Sequence, residues 1–314
     1  MMRTNICISA VVLLFFKSAL SQQFINRERG FELVRVDYTV IPSLGDIQLD
    51  RQGVNLNFFK KLNSGGLRLG LAYSRSELTF KDADESHQFG DFDNFHILRF
   101  NMSYIRPLAK NWSINISLAP TLSSNFKGAL STEDIIYTAF GTVGKQWITT
   151  NKRSSLRFGL AFGTQFGSPL LFPVLSYQKQ VNEKLSYAIG LPVTGIFYTI
   201  NKYNSINFRI RPEGAFVNNS NILRIAGDDR DFANTKLQLN AFSLSLGYDL
   251  QLDKHWVTTF SVGYIPTSNI EVLDDNNDVI YDFEADESIS INIGLSFNIN
   301  RTKNNDKNET RSRN

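Results

Sequence analysis

From Ser288 to Asn300 the chain alternates without a break. Ile289, Ile291, Ile293, Leu295, Phe297 and Ile299 form one set, and Ser288, Ser290, Asn292, Gly294, Ser296, Asn298 and Asn300 form the other. A period of two is the signature of a strand, since a helix repeats about every 3.6 residues. The pattern recurs at Leu67-Leu69-Leu71-Tyr73, Leu98-Phe100-Met102-Tyr104, Trp112-Ile114-Ile116-Leu118 and Leu156-Phe158-Leu160-Phe162. It returns at Leu185-Tyr187-Ile189-Leu191, Ile206-Phe208-Ile210 and Phe242-Leu244-Leu246-Tyr248-Leu250, and no segment after the N-terminal 21 residues has a convincing helical period. The pattern predicts strands over 31–41, 51–60, 66–80, 96–108, 112–124, 134–149 and 154–166, then 173–180, 184–191, 194–201, 205–217, 236–252, 256–266 and 287–300. The stretch 173–201 is crowded with short segments and prolines, and merging two of its strands would reduce the count from fourteen to twelve.

The connections fall into two kinds. Leu108-Ala109-Lys110-Asn111-Trp112 and Leu252-Asp253-Lys254-His255-Trp256 are near copies, and the segments near 61–66, 150–153, 181–184 and 200–204 are similarly short, polar and rich in Asn and Lys. These read as tight hairpins. The connections near 81–95, 218–235 and 267–286 are long and acidic. Of the two strand faces one is bulky and apolar and the other small and polar, whereas the inner face of a soluble sandwich would be bulky. Lipid offers no partners to backbone groups, so a sheet that crosses it has to close. The expectation is an all-β fold: a closed antiparallel transmembrane β-barrel of 12–14 strands with short periplasmic turns and longer acidic extracellular loops. Trp112, Trp147 and Trp256 all adjoin short turns and are expected to form an aromatic girdle at one interface. Phe80, Phe95, Phe126, Phe166 and Tyr264 are expected to form a second one.

Composition adds the address. Residues 1–21 carry Arg3, an apolar run from Ile6 to Phe16 and the small-x-small sequence Ala19-Leu20-Ser21, the layout of a cleaved signal peptide. The apolar run is too short for a spanning helix, which needs about 18 residues or more. The one cysteine, Cys7, lies within this leader, so the mature chain has no disulfide, thiolate metal site or cysteine nucleophile. The barrel is expected over 22–300. Residues 301–314 contain five basic, two acidic and no apolar residues, which predicts a disordered basic tail. Residues 22–300 hold 26 basic and 28 acidic groups, a balance that gives no sign of nucleic-acid binding.

The leader ending in Ser21-Gln22-Gln23, the hairpin repeats and the stretch Gly190-Leu191-Pro192-Val193-Thr194-Gly195-Ile196 resemble outer-membrane β-barrels of the Bacteroidota type, in a family labelled a domain of unknown function. The resemblance covers nearly all of the mature chain. It implies a fold and a place in the outer membrane of a Gram-negative bacterium, and no activity.

Candidate chemistry follows from the alternation. With the apolar set toward lipid, the opposite face carries Arg35, Asp37, Arg68, Arg99, Arg157, Arg209, Arg211, Glu213 and Asp249. One reading is a net-positive constriction that favours anions; the other is a network of Arg–carboxylate pairs that fills a narrow barrel. The acidic loops read as solvated rims. Asp274-x-Asn276-x-Asp278 begins like a calcium loop, but Val279 and Ala285 occupy its glycine and final ligand positions. No metal or cofactor is expected. Of His87, His96 and His255, only His96 lies where a membrane lipase would place its histidine. Three functions follow: a pore for small solutes, a non-conducting barrel whose acidic loops meet protein partners, and an outer-membrane lipase. Bilayer lipid is the expected partner throughout.

Overall fold

The structure is a computed structural model that describes residues 31–299 apart from 83, 85–87, 150–151, 227–228 and 284. The leader and the tail lie outside the described residues. Eleven strands follow as an antiparallel meander: β1 (Phe31–Leu44), β2 (Ile47–Leu62), β3 (Gly65–Phe80), β4 (Asn94–Pro107), β5 (Trp112–Ser124), β6 (Ile135–Thr149), β7 (Lys152–Gly163), β8 (Leu170–Gln180), β9 (Leu185–Leu191), β10 (Thr194–Thr199) and β11 (Asn204–Asn218). β12 (Leu223–Arg224) and β13 (Asp231–Phe232) form a small separate hairpin. The wall then resumes with β14 (Lys236–Gln251), β15 (Trp256–Ile265), β16 (Ser268–Leu273), β17 (Val279–Phe283) and β18 (Ser288–Ile299).

β18 pairs with β1, and β11 pairs with β14 from Asn204↔Leu250 to Asn218↔Lys236, so the sheet closes on itself. β15 and β16 both run along β14 and act as one interrupted stave; β17 and β18 form the next. The result is a closed antiparallel barrel of fourteen staves. The crowded segment resolves into three separate strands, of which β9 has 7 residues and β10 has 6. One end carries the short connections 63–64, 108–111, 181–184, 200–203 and 252–255; the other carries 81–93, 125–134, 219–235 and 274–278. Two connections at this loop end are also short, at 45–46 and 192–193.

Around the middle of the wall, Val36, Leu71, Phe100, Ile116, Phe158, Leu246 and Ile291 stand exposed on the outer face. A continuous apolar belt of this kind suits hydrocarbon and not water. The inner face there is Ser, Asn, Gly and Arg. Toward the loop end the phase inverts. Along β3, Leu67, Leu69, Leu71 and Tyr73 belong to the outer set, while Leu78 and Phe80 are inward and buried. Along β14, Leu237, Leu239 and Ala241 are buried inward, and Phe242, Leu244 and Leu246 then take the outer face. These inward residues join Ile41, Leu49, Val217 and Val272, together with Phe89, Phe92, Leu223 and Phe232 from the loops, in one apolar core. Phe89 and Phe92 are 0% exposed. The core corrects one expectation: Phe80 and Phe95 belong to no outer girdle, because both are buried inside the barrel. Phe126 and Tyr264 are exposed, and Phe166 is half-buried.

The loop end is also narrower. Ser124 of β5 pairs directly with Asn218 of β11, in parallel, bypassing β6 to β10. Beside it the Ser123 hydroxyl donates to the Phe216 carbonyl at 2.6 Å. Phe216 belongs to the outward set of β11, yet it is buried with Ile136 of β6 and Leu273 of β16. The upper part of β11 therefore tucks inside the wall, and the apolar core sits among the upper ends of β1 to β4, β11, β14, the β15–β16 stave and β17.

Candidate functional site

Below the apolar core the interior is polar. Register and alternation put Arg35, Asp37, Arg68, Arg99, Arg157, Arg209, Arg211, Glu213 and Asp249 all on the strand face opposite the exposed apolar set. Their surroundings differ. Arg35 is 3.6 Å from the Asp37 carboxylate and 3.8 Å from that of Glu32. It occupies space left by Gly294, where a Cβ would lie 2.9 Å from its Nη2. Arg211 Nε donates to Glu213 Oε1 at 2.8 Å, and Glu213 Oε2 is 3.9 Å from Arg51 Nη1. Arg51 is on β2 and Glu213 on β11, two strands that are not neighbours in the sheet, so this Arg–Glu–Arg group bridges the bore. Asp249 accepts from Thr259 at 2.8 Å and from Ser205 and Asn207 at 3.4 Å.

Arg68, Arg99 and Arg157 have different company. The Arg99 Nε donates to Thr121 Oγ1 at 3.3 Å, and the Arg68 guanidinium lies 5.6 Å from the centre of the Phe31 ring. Arg157 faces Gly144 and Ser176 in register. Among the described residues none of the three has a carboxylate within 4.0 Å. Arg209 lies 5.4 Å from the Phe197 ring. The interior thus has a balanced side, on β1, β2 and β11, and a cationic side, on β3, β4 and β7.

Trp112, Trp147 and Trp256 stand exposed at the turn end. The Lys145 ammonium lies 5.3 Å from the Trp112 ring, and Trp256 packs edge-on against Phe297 at 5.0 Å.

The acidic loops are built into the loop end as fasteners. Asp274 Oδ1 accepts from the Asn276 and Asp278 N–H groups at 2.9 Å, which closes the turn that resembled a calcium loop. Asp91 accepts from Lys127 at 3.2 Å and Asn221 at 2.9 Å. Asp134 is fully buried and accepts from Asn218 at 2.9 Å and from the Ser131 N–H at 2.7 Å. Burial works against its charge, but hydrogen bonds from Ser124, Asn218 and Ser131 outweigh it and hold the carboxyl below the usual carboxylate range. No group of three or more His, Cys, Asp or Glu among the described residues is arranged to hold a metal. Glu85, Glu284 and His87 lie outside the described residues. His96 stacks between Tyr73 and Phe126 and shares a 2.9 Å hydrogen bond with the Tyr73 hydroxyl, and no serine bonds its ring among the described residues. His255 bonds the Asn298 carbonyl at 2.9 Å.

Sequence reasoning missed Arg51, although Val54, Leu56 and Phe58 on the outer set of β2 place it inward by parity. It also missed Asp134, whose Ser131-Thr132-Glu133-Asp134 run is a short capping box.

The model of the domain of unknown function DUF6268 matches residues 45–303, from the first hairpin through the last strand. The chain belongs to this family. No curated protein matches it. Among solved structures, the DUF6268 barrel is similar to the NanC porin at 9% identity, covering 85% of this chain and 100% of that one with a TM-score of 0.39. It is similar to the KdgM porin, in complex with disordered oligogalacturonate, at 10% identity, covering 85% and 99% with a TM-score of 0.37. It is also similar to an outer membrane channel from Pseudomonas putida F1 at 9% identity, covering 89% and 99% with a TM-score of 0.39.

Proposed function

We propose that this chain is exported by its 1–21 leader to the outer membrane of a Gram-negative bacterium, where it is a non-enzymatic passage favouring small anionic solutes. The carrying observation is the group Arg68, Arg99 and Arg157, three inward cations with no carboxylate within 4.0 Å among the described residues. A fixed charge in a confined, low-dielectric bore acts on a passing ion more strongly than the same charge in water. An anion meeting this side finds donors already in place, while the Arg51–Glu213–Arg211 group sets the bore's width on the other side. Trp112, Trp147 and Trp256 would hold the turn end at the periplasmic interface.

The test is planar-bilayer conductance of the refolded barrel, with reversal potential measured under a salt gradient. The expected result is anion-selective steps whose selectivity falls in an Arg99→Gln, Arg157→Gln double variant. Steps with unchanged selectivity would remove the role of these arginines. The packed loop end favours a second reading, a non-conducting barrel that presents its loops to a protein partner. Electrical silence from a folded barrel is its expected outcome.

A further inference from the structure

A solute in the polar interior meets the apolar core if it continues along the barrel axis, so the passage proposed above needs another way out. The wall offers one. β10 pairs with β11 only as far up as Thr194↔Ile210, and β9 pairs with β8 only as far as Leu175↔Leu191. Above that level, Leu170–Val174 of β8 and Arg211–Val217 of β11 have no strand on their facing edges among the described residues. Pro173 and Pro212 stand on those edges, where a residue without an N–H costs no ladder bond. The edges enclose a wedge, with the 192–193 turn at its foot and residues 164–169 across its top.

These six residues plug the wedge by contact. A Cβ on Gly214 would lie 2.3 Å from the Thr164 carbonyl oxygen and 2.5 Å from that of Gln165. One on Gly167 would lie 3.0 Å from Asn240 Cβ. Phe166 reaches from the Phe172 ring of β8, at 5.1 Å, over β11 to the Phe242 ring of β14, at 6.0 Å. Within the segment the Gly167 N–H donates to the Thr164 carbonyl at 3.1 Å. Gln165 Oε1 in the stopper and Asn240 Oδ1 on β14, beside Gly167, are buried with no hydrogen-bond partner among the described residues. Buried polar atoms ordinarily have one, so these two, one on the stopper and one where the stopper meets β14, mark a place that accepts a polar guest. Arg211 faces the interior at the level where the wedge begins, and its side chain is 44% exposed against 25% for Arg51.

We propose that small hydrophilic anions leave the barrel sideways, through the wedge between β8 and β11, with residues 164–169 as its stopper and Arg211 as the cation at its inner mouth. This rests on the passage reading and deepens it. The test compares single-channel conductance of the wild-type barrel, a Gly214→Ala variant, a deletion of residues 165–168 and a Phe89→Ala, Phe92→Ala double variant. Gly214→Ala pushes the stopper outward and the deletion removes it, so both should conduct severalfold more than wild type. The double variant, which loosens the core, should conduct as wild type does. The mature chain lacks cysteine, so Gln165→Cys gives a unique thiol. A bulky charged thiol reagent added at the loop-end side should then block most of its current. If the core variant gains conductance while the Gly214 and deletion variants match wild type, the route is axial and the side exit is wrong, with the passage reading intact. If every form is folded, as judged by heat-modifiable electrophoretic mobility, and none conducts, the passage reading itself fails.

Discussion

The same strands enclose two unlike interiors. In the belt region, the outer face of β3 is Leu67, Leu69, Leu71 and Tyr73, and the inner face is Arg68, Gly70, Ala72 and Ser74. One turn of the pleat further up, the exposed residues are Glu77 and Thr79 and the buried ones are Leu78 and Phe80. The cause is the solvent outside. Within lipid, the ladder satisfies the backbone and the hydrocarbon receives the apolar side chains, so nothing requires an apolar interior. Beyond lipid the outer face is wet, and an extended sheet is stable only if its apolar side chains are buried within. For a barrel standing in the outer membrane, as proposed above, the phase inversion on β2, β3 and β14 would mark the membrane surface along each strand. It also explains why the loop end is narrow and packed while the belt region is wide and polar: only the former has to fill its own centre.

The largest effect should come from emptying that centre. Phe89 packs against Tyr281 at 4.5 Å and Phe283 at 5.0 Å, fully buried. Replacing it with Ala leaves a cavity and should cost the loop end about 3–5 kcal/mol. Amides of residues 78–80, 89–95 and 215–218 should then exchange with solvent about a hundredfold or more faster, while those of the belt region keep their protection. Equal acceleration throughout would mean that the two regions unfold as one and that the distinction between them is only chemical.

A second experiment asks where the boundary lies. Leu71 and Thr79 are on the same face of the same strand, both exposed. If the inversion marks the membrane surface, Leu71→Arg places a cation in hydrocarbon at about 2–4 kcal/mol, whereas Thr79→Arg meets water and costs close to nothing. Urea unfolding of the two variants in vesicles measures the difference. Equal costs would put the boundary elsewhere.

The belt region was legible in the sequence because period-two alternation and tight turns carry it locally: the strands lie close to their expected spans, and the fourteen-strand count is the observed one. The same parity rule put Arg35, Arg68, Arg99, Arg157, Arg209 and Arg211 on the face opposite the apolar set. The loop end was not legible, for two reasons. Its core joins residues far apart in the chain, such as Phe89, Val217 and Val272, and no local pattern announces such a meeting. The inverted alternation was visible, in Leu237-x-Leu239-x-Ala241 followed by Phe242-x-Leu244, but it reads as a slip in phase unless a change of solvent is supposed. Phe80 and Phe95 were misplaced for that reason: at a strand end an aromatic suits an interface belt or a core equally well. The β5–β11 contact, which narrows the end, follows from the shortness of β9 and β10, and the prolines of the 173–201 stretch were noticed without that consequence.

The smallest of the expected effects concerns how the narrow end is fastened. Asp134 joins the 125–134 loop to Asn218 at the top of β11, beside the direct β5–β11 pairing. Its carboxyl titrates below the ordinary range when folded and near it when unfolded, so the folded state binds the proton more weakly. The stability this contributes is present in full above the unfolded value near 4 and is lost as pH falls through the lower folded value. Protection of the amides around Ser124 and Asn218 should therefore stay level from neutral pH down to about 4, then decline, while the belt strands show no matching step. Asp134→Asn, which cannot ionise, should lower that protection at neutral pH and remove the acid-dependent part. A decline that persists unchanged in the Asn variant would assign the acid sensitivity to another carboxylate of the loop end, with Asp91, held by Lys127 and Asn221, the next to replace.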